Sequence, residues 1–277
     1  YVDHPSFGTA VISRVLEAEG LRVAVLAQPD WHDAEAFRAM GRPRLGVFIG
    51  AGNLDSMVAH YTAAKRRRSE DFYSPGKRSG CRPDRAAIVY CNRAREAFGP
   101  DMPIILGSLE ASLRRFAHYD YWDDSVRRAI LFDAPADLLV YGMGEAATIE
   151  IAHRLKKKQS VRTMTDIPGT GYITRDPSVC KFDHITLPSF EDVRDDKRLY
   201  AEATRTEYAE HDPIRGRAMI QPCEGRYLII NPPAMPLDTK ELDRVAELPY
   251  TREWHPMYEP LGGVPAIEEV RFSVIHN

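Results

Sequence analysis

Phe7, Val11 and Val15 fall in one row at i, i+4 and i+8, and Gly8, Ile12 and Leu16 in the next. This spacing predicts an amphipathic helix over 6–19, closed by Gly20. A nearly continuous, valine-rich apolar run at 21–27 follows and reads as a strand covered on both faces. The alternation repeats. A short helix near 33–40 leads to a strand at 45–49, a helix near 84–98 leads to 104–106, and a strand at 137–141 precedes a helix over 145–157. Four buried strands alternating with helices predict an α/β fold with a doubly wound, mainly parallel, Rossmann-like sheet over residues 1–158.

Beyond residue 158 the pattern changes. Pro/Gly-punctuated segments at 166–175 and 184–188 predict short antiparallel strands. Ser189 with Asp192 three positions later forms a capping box opening a charged helix that runs to about Glu210, before Pro213. Apolar runs at 217–221 and 227–231 predict a hairpin, and 231–236 and 249–265 read as connectors. A last apolar segment, 267–275, reads as a fresh strand. The expected organisation is therefore a Rossmann-like domain at 1–158, a smaller α+β and connector region at 159–265, and the first strand of something further at 266–277.

In parallel α/β sheets ligands bind beyond the carboxyl ends of the strands. Here the strand at 45–49 ends in Gly50-Ala51-Gly52-Asn53-Leu54-Asp55, the one at 104–106 in Gly107-Ser108-Leu109-Glu110, and the one at 137–141 in Gly142-Met143-Gly144-Glu145. Any one such turn is explained by glycine's tolerance of positive φ and by helix capping. Three on one edge point to a ligand cleft, with Gly50, Asn53, Asp55, Gly107, Ser108, Glu110, Gly142 and Glu145 as candidate lining. Asp3 and His4, at an expected strand end, join them as a possible acid/base pair or metal half-site, although neighbours on a strand point to opposite faces.

Composition narrows the classes. With 44% hydrophobic and 28% charged residues and a net charge of −3, the chain can bury a full core and carries no global polyanion-binding charge. No apolar run reaches membrane-spanning length, and the opening residues lack the basic start and apolar stretch of a secretory signal, so a cytoplasmic, membrane-free protein is expected. Cys81, Cys91, Cys180 and Cys223 are too scattered for a disulfide framework or a shared metal. Local charge is another matter. Between His60 and Arg85, eight cations, Lys65, Arg66, Arg67, Arg68, Lys77, Arg78, Arg82 and Arg85, face only Glu70, Asp71 and Asp84, with Tyr61, Phe72 and Tyr73 interleaved. This is the composition of an RNA-gripping surface or of a solvated, disordered insertion. A second cluster from Arg114 to Arg128 mixes aromatics with both charge signs, as in an internal ion-pair network or a surface that docks another domain.

Four stretches carry a resemblance: YVDHPSFG at 1–8, GNLDSMVAHYTAAKRRRSEDFYSPG at 52–76, LEASLRRFAHYDYWDDSVRRAIL at 109–131 and ADLLVYGMGE at 136–145. Together they resemble the N-terminal region of the YgiQ-type radical SAM proteins, over essentially the whole chain. The tail AIEEVRFSVIHN at 266–277 resembles the strand that in this family leads into the C-x-x-x-C-x-x-C motif of a radical SAM barrel. The resemblance implies a 4Fe-4S cluster and S-adenosylmethionine in the full-length protein, held by a barrel that would be this region's partner, and no cluster ligand within these residues. It also implies a strand before Tyr1. The same region is more distantly similar to cobalamin-binding domains marked by Asp-x-His-x-x-Gly and a later Gly-Gly. Here Asp3 and His4 are adjacent and the later pair is Gly107-Ser108, so cobalamin is not expected. The rival expectation, resting on the basic segment, is an RNA- or nucleotide-binding module that presents a substrate to a partner domain.

Overall fold

The structure, a computed structural model, describes residues 1–271. A two-residue strand β1 (Val2–Asp3) leads into α1 (Gly8–Ala18), which ends as predicted at Gly20, φ +74°. After a 3₁₀ turn at Glu35–Arg38 come β2 (Val47–Ile49), α2 (Ser56–His60), α3 (Ala86–Phe98), β3 (Ile104–Leu106), α4 (Ser108–Leu113), the hairpin β4 (His118–Asp120) and β5 (Ser125–Arg127), β6 (Leu138–Val140) and α5 (Glu145–Lys156). The remainder holds β7 (Thr170–Thr174), β8 (His184–Thr186), α6 (Phe190–Asp195), α7 (Lys197–Ala209), β9 (Ala218–Cys223), β10 (Arg226–Ile230), α8 (Thr239–Ala246), β11 (Glu253–Trp254) and α9 (Ala266–Val270).

One seven-stranded sheet, in the order β2-β3-β6-β7-β10-β9-β8, draws strands from both sides of position 158. The α/β class holds, but the sheet is mixed rather than mainly parallel. β2, β3 and β6 run parallel, β7 runs antiparallel to β6 and β10, and β8 pairs parallel to β9. The reversal at β7 has a local cause. After α5 the chain returns along the sheet with Val161, Met164 and Ile167 buried, so β7 starts at the end where β6 finishes. β9 and β10 form the predicted hairpin, turned by Glu224 and Gly225 at φ +49° and +71°, the two left-handed positions that a tight hairpin requires.

Side chains alternate across β3. Ile104 and Leu106 pack with Leu139 against Ala87, Cys91, Ala94 and Phe98 of α3, while Ile105 packs with Leu138 and Val140 against Ala147, Ile151 and Leu155 of α5. This three-layer arrangement holds α3 and α5 on opposite faces and leaves the strand-end turns on one edge.

Three other expectations change. Residues 21–27 form no strand and join no ladder among the described residues. The single helix expected from Ser189 to Glu210 is two, because the Asp196 carboxylate accepts from the Arg198 N–H and starts α7 afresh; the Ser189–Asp192 capping box itself is present. The strand expected at 267–275 begins instead as helix α9, and its part beyond residue 271 lies outside the described residues. Sequence periodicity also missed the β1–β11 and β4–β5 pairs and α8, which opens on an Asp238–Glu241 capping box.

Candidate functional site

A cavity of about 1570 Å³ opens at the carboxyl ends of β2, β3 and β6. Six of the ten candidate residues line it: Gly50, Asn53, Gly107, Ser108, Gly142 and Glu145. Backbone geometry explains the small residues. Ser108 holds φ +73° as β3 turns into α4, and its Oγ accepts from the Ala51 N–H at 3.2 Å. A Cβ on Gly50 would stand 2.9 Å from that of Ser108, so glycine is what allows these two turns to touch. Asn53 donates from Nδ2 to the Ser6 carbonyl at 2.9 Å, tying the loop after β2 to the loop before α1. Glu145, in the first turn of α5, has one carboxylate oxygen shielded from solvent with no hydrogen-bond partner.

The other four candidates are buried and committed elsewhere. Asp3 is ion-paired with Arg14 and accepts from the Thr251 N–H; burial opposes ionisation, but these contacts outweigh it and hold the carboxyl below its usual range. His4 is fully buried and takes the Ser6 N–H on Nδ1 at 3.0 Å. Asp55 is the N-cap of α2, accepting from the Met57 and Val58 N–H groups, and is ion-paired with Arg114. Glu110 accepts from Ser56 and Ala87. The structure thus does not make Asp3 and His4 a pair facing the cleft.

The basic segment is folded. Tyr61 bridges to Arg67 and Glu70 to Arg78, and Asp71, Ser74 and Arg82 are buried. Its cations divide by use. Arg82 is spent on Asp71 and Arg85 on Asp120 and Asp123, whereas Lys65 lies over Tyr121 and Lys77 over Phe72, each 4.8 Å from the ring centroid. The second cluster is an ion-pair network on the β4–β5 hairpin: Arg127 reaches Asp123 and Asp133, and Arg128 reaches Asp133 and Glu224.

Arg115, which the sequence placed in the second cluster, lies beside Tyr141 among partners that local spacing did not join to it. Arg115 stacks over Tyr141 and Phe116, 5.0 and 5.2 Å from their centroids, and its Nη2 approaches His211 Nδ1 at 3.4 Å. Burial holds the Arg115 guanidinium below its usual range and pushes the Glu207 carboxyl up to about 7. Glu207 sits on a helix whose pattern is charged throughout, so nothing in the sequence marks it. A carboxyl with a raised folded-state value keeps its proton where the unfolded chain has lost it. Stability should therefore fall as pH rises from about 4.5 to about 7. Glu207→Gln should match the parent near pH 4 and exceed it in melting temperature at pH 8; equal melting at pH 8 would contradict this placement.

The chain's sulfurs do not fit an iron–sulfur centre. Cys91 is sealed in the α3 core with its thiol pushed far up by burial, Cys223 is buried with its thiol pushed up to about 12, and Cys81 and Cys180 are half-buried elsewhere. Among the described residues, no group of three or more His, Cys, Asp or Glu side chains is placed to hold a metal, and no helix is long and apolar enough to cross a membrane.

A mixed α/β sheet with a cleft at its strand ends defines the domain, and Leu109, Leu113, Met143 and Met235 are exposed on the segments that follow β3, β6 and β10. Residues 1–273 match the family described as Radical SAM N-terminal, and the chain belongs to it. It is 55% identical over 274 residues to a UPF0313 protein of Clostridium botulinum (strain 657 / Type Ba4), covering 99% of this chain and 43% of that protein. It is 52% identical over 277 residues to a UPF0313 protein of Clostridium perfringens (strain 13 / Type A), covering 100% and 42%. The chain therefore spans less than half the length of these curated relatives. No solved structure matches it.

Proposed function

We propose that this chain is the N-terminal domain of a cytoplasmic radical S-adenosylmethionine enzyme, and that the 4Fe-4S cluster and S-adenosylmethionine are held by the part of the longer protein outside it. The family match over residues 1–273 carries this reading, and the misfit of all four cysteines to a cluster agrees with it. When bound, the cluster would supply the electron that cleaves S-adenosylmethionine. The residues in hand do something else. They form a covering wall whose strand-end turns shape access to the chemistry, and the exposed Leu109, Leu113, Met143 and Met235 dock on the rest of the protein. The rival RNA-presenting reading is not favoured by the family or by the relatives' names.

The test is the full-length protein, reconstituted without oxygen. About four irons per chain and release of 5′-deoxyadenosine on reduction are expected. Iron-free protein that leaves S-adenosylmethionine intact after reconstitution would overturn the proposal.

A further inference from the structure

The turn at 62–66 holds its cations in fixed places. The Lys65 N–H donates to the Thr62 carbonyl with Lys65 at φ +57°, the Thr62 N–H donates to the Arg66 carbonyl, and the Arg68 N–H to that of His60. Side chains fasten this turn to the β4–β5 hairpin. The Tyr121 hydroxyl donates to the Ala63 carbonyl at 2.6 Å, Lys65 Nζ donates to that of Trp122 at 3.3 Å, and the Tyr61 and Trp122 rings lie 5.3 Å apart. Arg67 stands over Tyr61, 6.0 Å from its centroid. Arg67 and Glu70 are separated by at most about 11 Å of backbone, and Glu70 bridges to Arg78, so the loop carrying Lys77 and Arg78 lies beside the first.

The cations of the segment are of two kinds. Arg82 and Arg85 are ion-paired, whereas Lys65, Arg66, Arg67, Arg68, Lys77 and Arg78 are all exposed and form no ion pair among the described residues. Asp84, within electrostatic reach of Arg67, is already hydrogen-bonded to His60 and Tyr61. Unneutralised cations held close together by a folded loop repel one another, and a polyanion relieves that repulsion. Aromatic rings say which polyanion. Phe72, Tyr119 and Tyr121 are 48%, 48% and 47% exposed, with Lys77 over Phe72 and Lys65 over Tyr121. Open rings among cations suit unpaired bases, which stack while their phosphates meet the guanidiniums. A duplex has its base faces already stacked, and an acidic peptide has none to offer.

We propose that the 62–68 turn, the 70–78 loop and the β4–β5 hairpin together bind a short run of single-stranded nucleic acid, with Arg66, Arg67 and Arg78 on its phosphates and Phe72, Tyr119 and Tyr121 against its bases. This contact adds a partner to the longer protein and leaves the radical chemistry proposed above as it stands. The two fail separately, because binding here needs neither iron nor S-adenosylmethionine.

Fluorescence anisotropy on the full-length protein, as isolated and without reconstitution, tests it. The probes are labelled RNA and DNA oligomers of about twelve nucleotides, each as a single strand and as a duplex. A single strand should bind, and three to five phosphate contacts should make its affinity fall roughly 20- to 100-fold between about 50 and 200 mM salt. The tighter of the RNA and DNA strands identifies the polymer. Arg66→Gln, Arg67→Gln and Arg78→Gln together should weaken binding about tenfold or more at the lower salt and flatten the salt dependence, with the melting temperature unchanged because none of the three holds an ion pair. Tyr119→Ala should weaken it about fivefold or more and leave the salt slope alone. No binding of either single strand at the lower salt overturns the proposal. So does a duplex bound as tightly as the single strand, or full affinity in the triple variant. Tighter binding to polyglutamate or to vesicles of anionic lipid than to either oligomer gives the face to an acidic protein or a membrane, and overturns it too.

Discussion

Replacing Glu110 by alanine should lower unfolding free energy by about 3–5 kcal/mol, read as a fall in denaturant midpoint at unchanged slope. Its side chain is fully buried. Oε2 accepts from the Ser56 N–H at 2.9 Å and from its hydroxyl at 2.7 Å, and Oε1 accepts from the Ala87 N–H at 3.1 Å. Ser56 Oγ in turn accepts from the Ala86 N–H at 2.9 Å. The usual cap of α3 is missing, because Arg85 sits at φ +50° and offers no side-chain acceptor. Glu110 and Ser56 therefore satisfy the first N–H groups of α3 from across the sheet edge. Alanine leaves three buried donors without acceptors, at about 1–3 kcal/mol each, less what entering water recovers. A loss under about 1 kcal/mol would mean that the carboxylate is not what anchors α3.

Arg82→Ala should cost a similar amount, about 3–5 kcal/mol, because it strands a charge. The Arg82 and Asp71 side chains are 4% and 3% exposed and meet at 2.5 Å; Asp71 also accepts from the Ser74 hydroxyl and the Tyr73 N–H. Removing Arg82 leaves the buried Asp71 carboxylate without its ion-pair partner. Replacing both partners, Arg82→Met with Asp71→Leu, should cost less than either single change, since both desolvation penalties go together. Limited proteolysis between residues 65 and 80 should quicken in the single variant and much less in the double. A double variant less stable than both singles would contradict this account of the loop.

Much of the fold could be read from apolar periodicity. The 104–106 strand and the helices at α1, α3 and α5 appear within one or two residues of expectation because a buried strand or amphipathic helix writes its period directly into the chain. Direction is not written there. The Pro/Gly turns predict an antiparallel strand at 166–175, which β7 is, but the same reading at 184–188 fails, because β8 pairs parallel to β9. The 21–27 run, which reads as a good strand, joins no ladder among the described residues. At the site, the glycines and serine after β2, β3 and β6 line the cavity. The roles of Asp3, Asp55 and Glu110 depended on partners Arg14, Arg114 and Ser56, 11, 59 and 54 positions away. Such pairings are invisible to local spacing. Arg115 and Glu207, on separate elements, are likewise brought within electrostatic reach only by the fold.

The pairing of β1 with β11 sets a timetable for biosynthesis. Val2 finds Trp254 and Asp3 finds Glu253, while the Arg252 N–H reaches the Asp3 carbonyl. At roughly 5–20 residues per second, a ribosome needs roughly a quarter of a minute to most of a minute to make what separates them. Through that interval the leading segment has no mate, and the edge it will occupy stays open to trapping by chaperones or neighbouring nascent chains. Final closure of the domain is thus a late, post-emergence event, gated by delivery of residue 254 rather than by the intrinsic speed of α1 or β2.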